Sequence, residues 1–549
     1  MPSVSAHVAL TLAQHIDAVF GVMGNGNAYF LDAIETQTDA VFTAVRHEQG
    51  AVVAADAHFR TSGRIAAGTS TYGAGFTNTL TALAEAVQAR VPLVLVVGDE
   101  PTSGPRPWDV DQIALASAVG ARTYTVGRAD AAATTVIAIE HALTYRVPVV
   151  LAIPYDVAAL DAGEVPDAPS PRTPTPLAPR GEFAEGMLDE IASLLAGAER
   201  PFLLAGRGAW LSGASTALGE LAAATGALTA SSALGRGVFP DTRYDLGVTG
   251  GFGADGAMEL VRSADVAVVF GASLNQFTMR FGDLFAPGTR VYQIDIAPAA
   301  THAHVGGFVR ADARLAAEEL VARLGDTGPA HSWRESVDVA AARTYDAGDD
   351  LAPDGRLDPR STARRIAELL PEDRVVVSDG GHFIGWANMY WPVAAPDRMM
   401  MVGTAFQSIG LGWPSVVGAA LARRESTVVL TSGDGGGLMA IADLESAVRA
   451  AGGRGMAVVW NDAAYGAEVN LYGLKGLAEG PMRIPQVDFA AFGAAVGAEG
   501  VVVRTLSDLD RLARWVEEDP SSRRFLLLDL RISGDVIAPY QQEIIRVNS

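Results

Sequence analysis

Two segments of this chain carry residue types and spacings suited to chemistry. Residues 430–437 read Leu-Thr-Ser-Gly-Asp-Gly-Gly-Gly, an apolar helix-like stretch follows, and residues 458–466 read Val-Val-Trp-Asn-Asp-Ala-Ala-Tyr-Gly. A carboxylate, Asp434, and an amide, Asn461, then stand at the ends of two strands with one helix between them. Roughly 25 residues separate Gly435 from Asn461, the length of one βα crossover. Two hard oxygen ligands on neighbouring strand ends, beside a glycine turn, suit a Mg²⁺ that holds a diphosphate. An Asp at such a turn can also do no more than cap the following helix; the Asn at this spacing favours the metal.

In the second segment, residues 41–45 form an expected buried strand. It ends in Arg46-His47-Glu48-Gln49-Gly50 and runs into an alanine-rich helix over 51–60. A glutamate at that junction is poorly solvated, so its pKa is expected to rise and let it hold a proton near neutral pH. A helix-start Glu favoured by the helix dipole is the plainer alternative.

Together these segments resemble the thiamine-diphosphate (ThDP) enzymes, above all those similar to acetolactate synthase, with their Gly-Asp-Gly…Asn-Asn or Asn-Asp motif and their Arg-His-Glu-Gln-Gly. The resemblance implies that Glu48 bonds N1′ of the aminopyrimidine and promotes the imino tautomer, whose nitrogen takes the proton from thiazolium C2. It extends along nearly the whole chain. Residues 20–24, 77–86 and 91–98 are similar to the family's first strand and turn, next helix and next strand. Residues 200–206 open a domain like the family's middle domain, and 293–296 fall at its penultimate strand. Residues 408–414, Ser-Ile-Gly-Leu-Gly-Trp-Pro, resemble the turn whose bulky apolar residue, here Ile409, bends ThDP into a V.

The resemblance further implies cofactor contacts from Gly381, His382, Gln407, Ile409, Gly433, Gly435, Gly436, Tyr465 and Gly466. A Mg²⁺ would be held by the Asp434 and Asn461 side chains and the Ala463 carbonyl, with two diphosphate oxygens and a water. The reaction implied is C–C bond formation or cleavage on a 2-oxo acid, with an acetolactate-synthase-like carboligase favoured and a non-oxidative decarboxylase giving an aldehyde as the alternative. A non-catalytic, regulatory ThDP-binding relative is the reading from another class; retention of Glu48 and the metal ligands speaks against it. In the family the Glu-bearing domain of one chain meets the diphosphate domain of another, which implies a homodimer or homotetramer.

The departures concern the substrate. Thr71-Tyr72-Gly73-Ala74-Gly75 replaces the synthases' Thr-Ser-Gly-Pro-Gly and looks more like the decarboxylases; Pro107-Trp108-Asp109 replaces Phe-Gln-Glu. Asn25 stands where relatives carry Gly, Ser or Asp near the reacting carbon, and is expected, with Glu48, to be catalytic. Glu468 follows Tyr465-Gly466 in place of a Gln- and Trp-containing helix. Tyr72, Trp108, Gln407 and Glu468 are the expected wall of the substrate pocket, facing a 2-oxo acid and an aldehyde or ketone acceptor.

To position these residues the chain needs several cores. At 549 residues it exceeds one domain, and 49% apolar residues with 59 glycines suit an α/β protein. The expected fold is three doubly wound α/β domains with parallel sheets: 1–164 (pyrimidine-binding), 183–325 (middle) and 358–549 (diphosphate-binding), joined by a Pro-rich connector at 165–174 and a polar one between 325 and 359. No convincing sequence repeat relates the outer two. Residues 251–256 match G-x-G-x-x-G, but no clear strand precedes them, so a dinucleotide is not expected there; some relatives carry FAD in this domain, which leaves a flavin open. A net charge of −22 argues against nucleic acid and anionic membranes. The chain has no cysteine for a disulfide or thiolate metal site. No apolar run reaches the ~18–20 residues of a membrane span, and the start lacks a basic signal region; a cytoplasmic protein is expected.

Overall fold

The computed structural model describes residues 1–548 apart from 168, 326, 327 and 330. Ala168 of the first connector, Asp326, Thr327 and Ala330 of the second, and Ser549 therefore lie outside the described residues. Runs rich in Val, Leu and Ala, bounded by Gly and Pro, form three sheets of six parallel strands. The first contains β1 (Ala18–Gly21), β2 (Val41–Ala44), β3 (Ala67–Ser70), β4 (Leu93–Asp99), β5 (Arg122–Thr125) and β6 (Pro148–Pro154), in the order β2-β1-β3-β4-β6-β5. The second contains β7 (Pro201–Ala205), β8 (Leu228–Ser231), β9 (Asp245–Val248), β10 (Val266–Phe270), β11 (Arg290–Asp295) and β12 (Val305–Arg310), in the order β12-β11-β10-β7-β8-β9. The third contains β13 (Arg374–Ser378), β14 (Met399–Met401), β15 (Thr427–Gly433), β16 (Gly455–Asn461), β17 (Glu499–Val503) and β18 (Leu526–Arg531), in the order β14-β13-β15-β16-β18-β17. Central strands such as β4, β6, β15 and β16 are buried along their whole length, the near-continuous apolar pattern of a parallel sheet covered by helices on both faces. No helix among the described residues is long and apolar enough to cross a membrane.

Counting strands from the start of each sheet, the first and third sheets share one order, 2-1-3-4-6-5. The repeat invisible in the sequence is thus a repeat of topology. The middle sheet has the doubly wound order that also builds dinucleotide-binding folds. Here the reading of residues 251–256 is corrected. A strand does precede them: β9 ends at Val248, and the helix Asp255–Arg262 follows. The strand Asp-Leu-Gly-Val is short and interrupted by glycine, which hid it. Yet β9 is an edge strand rather than the first strand of the fold, and its glycines accommodate the protein itself. A Cβ on Gly251 would stand 2.5 Å from the Phe277 ring, and one on Gly256 3.0 Å from the Ala342 carbonyl oxygen.

The two outer sheets are joined by one core. The helix Glu48–Ser62 follows β2, the helix Gly412–Ala422 follows the equivalent strand β14, and these equivalent helices pack on each other. Ala54 and Gly418 occupy the same place in their respective helices. They lie at the crossing, where a Cβ on Gly418 would collide with the Ala54 carbonyl oxygen. Val52, Phe59 and Leu83 of the first domain share a buried cluster with Leu411, Trp413, Val416 and Leu430 of the third.

Gly418→Ala tests the crossing. In an unconstrained helix this change stabilises by about 0.5–1 kcal/mol; here overpacking is expected to reverse the sign and cost about 1–3 kcal/mol, read from denaturant midpoints. A gain in stability would show that the helices do not meet at Gly418.

Candidate active site

The C-terminal ends of β13, β15 and β16 lie side by side, because these strands are consecutive in the third sheet. The chain departs in opposite directions from β13 and β15, the place where open α/β sheets form ligand crevices. Asp379, just beyond β13, binds this edge together. Its Oδ1 accepts N–H bonds from Gly380 (2.8 Å), Gly410 (3.0 Å) and Leu411 (3.3 Å), and its Oδ2 accepts from the Ser432 hydroxyl (3.2 Å). Burial pushes this carboxyl's pKa up, and the four donors oppose the rise. Asp379 thereby ties the turn carrying Ile409 to the turn before Asp434. Sequence reasoning missed Asp379; an acid directly after a strand and before Gly-Gly was the available signal.

Glycines let these turns approach closely. A Cβ on Gly435 would stand 2.7 Å from the Tyr465 ring, one on Gly436 2.8 Å from Asp379 Oδ2, one on Gly433 2.7 Å from the Phe383 ring, and one on Gly380 3.0 Å from Ile409 Cγ2. Gly381 has φ +135°, conformational space that a side chain would strain. His382 is buried beside them. Its Nε2 accepts from the Ala538 N–H (3.2 Å), which leaves the proton on Nδ1, and Nδ1 lies next to Gly466. Burial pushes its pKa down to about 4, so the ring is neutral at pH 7.

Asp434 starts the short helix Asp434–Met439 and is buried. The expected ligand set changes at its partner. Asn461 is the last residue of β16, and its amide is committed elsewhere: Nδ2 donates to Asp529 Oδ1 (2.8 Å) and to the Val487 carbonyl (3.0 Å), while Oδ1 accepts from Gln486 Nε2 (2.6 Å). The Ala463 carbonyl accepts the Ile484 N–H at 2.9 Å. The group whose charge acts on Asp434 is the next residue, Asp462. Burial, and then the neighbouring Asp462 carboxylate, push the Asp434 pKa up; burial raises Asp462 as well. Neither carboxylate has an ion-pair partner among the described residues, and no third His, Asp or Glu completes a metal cluster with them. A buried acid beside a half-buried one suits a cation that brings further oxygen ligands from outside the protein.

The first domain carries the other expected residues on equivalent loops. Glu48 is the first residue of its helix, half-buried, and its Oε2 accepts from Asn78 Nδ2 at 3.0 Å. Asn78, which the sequence reading noted only as part of a helix, is thus a contact of the key glutamate. Asn25 follows β1 and donates from Nδ2 to the Tyr72 hydroxyl (3.2 Å). The Arg106 guanidinium stacks 4.0 Å from the Tyr72 ring centre, 4.7 Å from Tyr155 and 5.6 Å from Trp108, and is paired with Asp109 at 2.8 Å. Asn25 is thus bonded to Tyr72, and Tyr72 and Trp108 share the Arg106 guanidinium; Trp108 keeps 60% of its surface exposed. Gln407, with φ +60°, and Glu468 are exposed on the third domain. Among the described residues no hydrogen bond or ion pair joins them to Asn25, Tyr72 or Trp108.

Known proteins match in the same order. The chain fits the family descriptions "Thiamine pyrophosphate enzyme, N-terminal TPP binding domain" over residues 2–115, "central domain" over 188–320 and "C-terminal TPP binding domain" over 379–530. It is 28% identical to a probable acetolactate synthase large subunit from Methanocaldococcus jannaschii, over 80% of this chain and 76% of that protein. It is 27% identical to the sulfoacetaldehyde acetyltransferase of Roseovarius nubinhibens, over 98% and 93%. The crystal structure of benzoylformate decarboxylase from Polynucleobacter necessarius has the same fold, with a TM-score of 0.80 at 21% identity, covering 98% of this chain and 99% of that one. With all three domains matched in chain order, and with Glu48 and Asp434 inside the matched segments, this chain belongs to the thiamine pyrophosphate enzyme family.

Proposed function

We propose that this protein is a ThDP- and Mg²⁺-dependent enzyme that forms or cleaves a C–C bond of a 2-oxo acid, with carboligation to an aldehyde or ketone acceptor as its reaction. The observation that carries the reading is the Asp434–Asp462 pair, one acid buried and one half-buried, at the crevice of one outer domain, together with Glu48 held by Asn78 at the matching edge of the other. Non-oxidative decarboxylation is the second reading, favoured by Tyr72, which occupies a loop position shared with the decarboxylases and bonds Asn25. When bound, ThDP supplies an electron sink for the pair left by carbon dioxide.

The residues have separate tasks. Asp434 and Asp462 hold the cation, which in turn holds the diphosphate; Asp462 replaces Asn461 in that role. Asp379 keeps the receiving turns in place, and the close glycines let those turns pack against Phe383 and Tyr465. Ile409 packs on Gly380 and would be the apolar residue that supports the cofactor. Glu48 holds a proton at N1′ of the aminopyrimidine, and the Asn78 amide on Oε2 sets which carboxylate oxygen is free to do so. Tyr72, Trp108 and Asn25 form the substrate wall. Exposed Met23, Trp108 and Tyr155 on one outer domain, and Phe406, Met439, Leu474 and Leu477 on the other, are apolar surface that a second copy of the chain would cover. The assembly is a homodimer or larger, with each site made from two chains.

Asp434→Ala and Asp462→Ala are expected to weaken Mg²⁺-dependent ThDP binding by roughly 100-fold or more. Asn461→Ala should instead cost about 1–3 kcal/mol of stability, because Asp529 and Gln486 lose a buried partner. Calorimetric titration and denaturant unfolding separate the two effects. Loss of the metal in Asn461→Ala with an unchanged unfolding midpoint would return the ligand role to Asn461.

Glu48→Gln should still bind ThDP, since the diphosphate contacts lie on the other domain, but exchange its C2 proton slowly, because an amide cannot hold the proton on N1′. Mixing inactive Glu48→Gln and Asp434→Ala chains should restore part of the activity, because hybrid dimers hold one intact site. Exchange at the parent rate in Glu48→Gln removes the glutamate from the mechanism. Absence of rescue after proven subunit exchange places the site within one chain.

Trp108→Gln should shift the ratio of kcat/KM for pyruvate against a bulkier 2-oxo acid by about tenfold, or ~1.4 kcal/mol. An unchanged ratio would show that Trp108 does not face the substrate.

A further inference from the structure

The junction that presents Glu48 is gripped by the third domain of the same chain. Asp443 lies at the end of the segment that begins with Asp434, and it is buried at 3% exposure. Its Oδ1 accepts the backbone N–H of Arg46 at 2.7 Å and the Ser446 hydroxyl at 2.8 Å. Its Oδ2 rests so close to Gly50 that a Cβ there would stand 2.5 Å away. Two further contacts follow from the adjoining helix, Leu444–Ala451. Glu445 pairs with Arg46 at 2.7 Å, and Arg449 donates to the Ala44 carbonyl at 2.6 Å.

These contacts bracket Glu48. Ala44 is the last residue of β2, Arg46 precedes the helix, and Gly50 lies in its first turn. The Arg46–Glu445 pair is half-exposed and contributes little. The buried carboxylate on a backbone N–H is the strong member of the set, a charge-assisted bond in a dry site. A carboxylate there also suits the positive end of the helix that starts at Glu48. Any side chain on Gly50 would displace Asp443, and any shortening of Asp443 would release Arg46.

We propose that Asp443 is a positioning residue for Glu48, and that it acts on the glutamate of its own chain. The proposal rests on the two-chain site argued above and adds a direction to it. The segment 434–446 serves the diphosphate site with its first residues, while Asp443 positions a glutamate that works in the partner's site.

The hybrid dimer resolves this direction. In a mixture of Glu48→Gln and Asp434→Ala chains, the one intact site takes its glutamate from the Asp434→Ala chain and its metal ligands from the Glu48→Gln chain. Adding Asp443→Ala to the Asp434→Ala chain should lower both the recovered activity and the C2-proton exchange by about tenfold or more, the scale of a misplaced catalytic group. Adding it to the Glu48→Gln chain should leave them within about twofold. The reverse pattern shows Asp443 acting on the metal segment and overturns the proposal. Equal losses show general support of the dimer and also overturn it. Asp443→Asn keeps an oxygen for the Arg46 N–H and should recover most of the exchange that Asp443→Ala loses; failure to do so removes the hydrogen bond from the explanation. Absence of rescue in the parent mixture overturns the shared site and the direction with it. The uniform Asp443→Ala protein then decides the positioning role: slow C2 exchange with ThDP affinity retained supports it, and exchange at the parent rate overturns it. If Asp443→Ala does not fold, Asp443→Ser, which is shorter and uncharged, takes its place in every mixture with the same expected pattern.

Discussion

The contact of the helix Glu48–Ser62 with the helix Gly412–Ala422 is the constraint on which the arrangement depends. Each helix follows the second strand of its sheet, and the two meet where one of them has glycine. Close approach lets apolar side chains from both outer domains share one water-free cluster, so the domains form a single cooperative core rather than tethered units. It also determines function: the helix that bears Glu48 cannot move relative to the diphosphate-binding sheet without opening that core. The Asp443 clamp, the Arg449 bond to Ala44 and the Glu85 carboxylate that accepts the Phe406 N–H at 2.7 Å all cross the same boundary.

Within the third domain, Asp379 plays the corresponding part at short range. A buried carboxylate is costly unless its lone pairs are satisfied, and Asp379 meets that requirement with donors from three separate turns. The turns are therefore held together by this one carboxylate. The Asp434–Asp462 pair is the opposite case: a buried and a half-buried acid with no ion pair among the described residues. Asp379 is thus closed off by donors from distant parts of the chain, whereas Asp434 and Asp462 accept from nearby backbone, Gly435 N–H and Ala464 N–H.

Much of this was legible in the residues. Continuous apolar strands with alternating helices gave parallel α/β domains, and Gly-Asp-Gly and the Arg-His-Glu-Gln-Gly string led to Asp434 and Glu48. What was not legible depended on backbone direction at the end of a strand. Successive side chains of a strand point to opposite faces, so whether Asn461 or Asp462 turns toward Asp434 is decided by where β16 stops, and spacing alone does not report that. Asp443 and Asn78 were hidden for another reason. Each acts on a partner far away in sequence, and no local pattern marks a carboxylate whose use is to accept a distant N–H. The strand β9 was missed because a glycine interrupts four residues, too few for a periodicity to emerge.

The shared order of the outer sheets explains how one architecture holds two kinds of chemistry. In both, the loops after the first, third and fourth strands open on the same edge. In the first domain they carry Asn25, Tyr72 and Trp108, an amide and two aromatic rings that can shape an organic substrate. In the third they carry Asp379, Asp434 and Asp462, three acids at the edge where the sheet forms its crevice. The second-strand helix differs in kind: it begins with a carboxylate, Glu48, in one domain, and follows the turn of Gln407 and Ile409 in the other. Because the two second-strand helices pack on each other, any displacement of one sheet is transmitted to the glutamate of the other. A topological repeat has thus become a division of labour, with the boundary between the two copies acting as the part that keeps them in register.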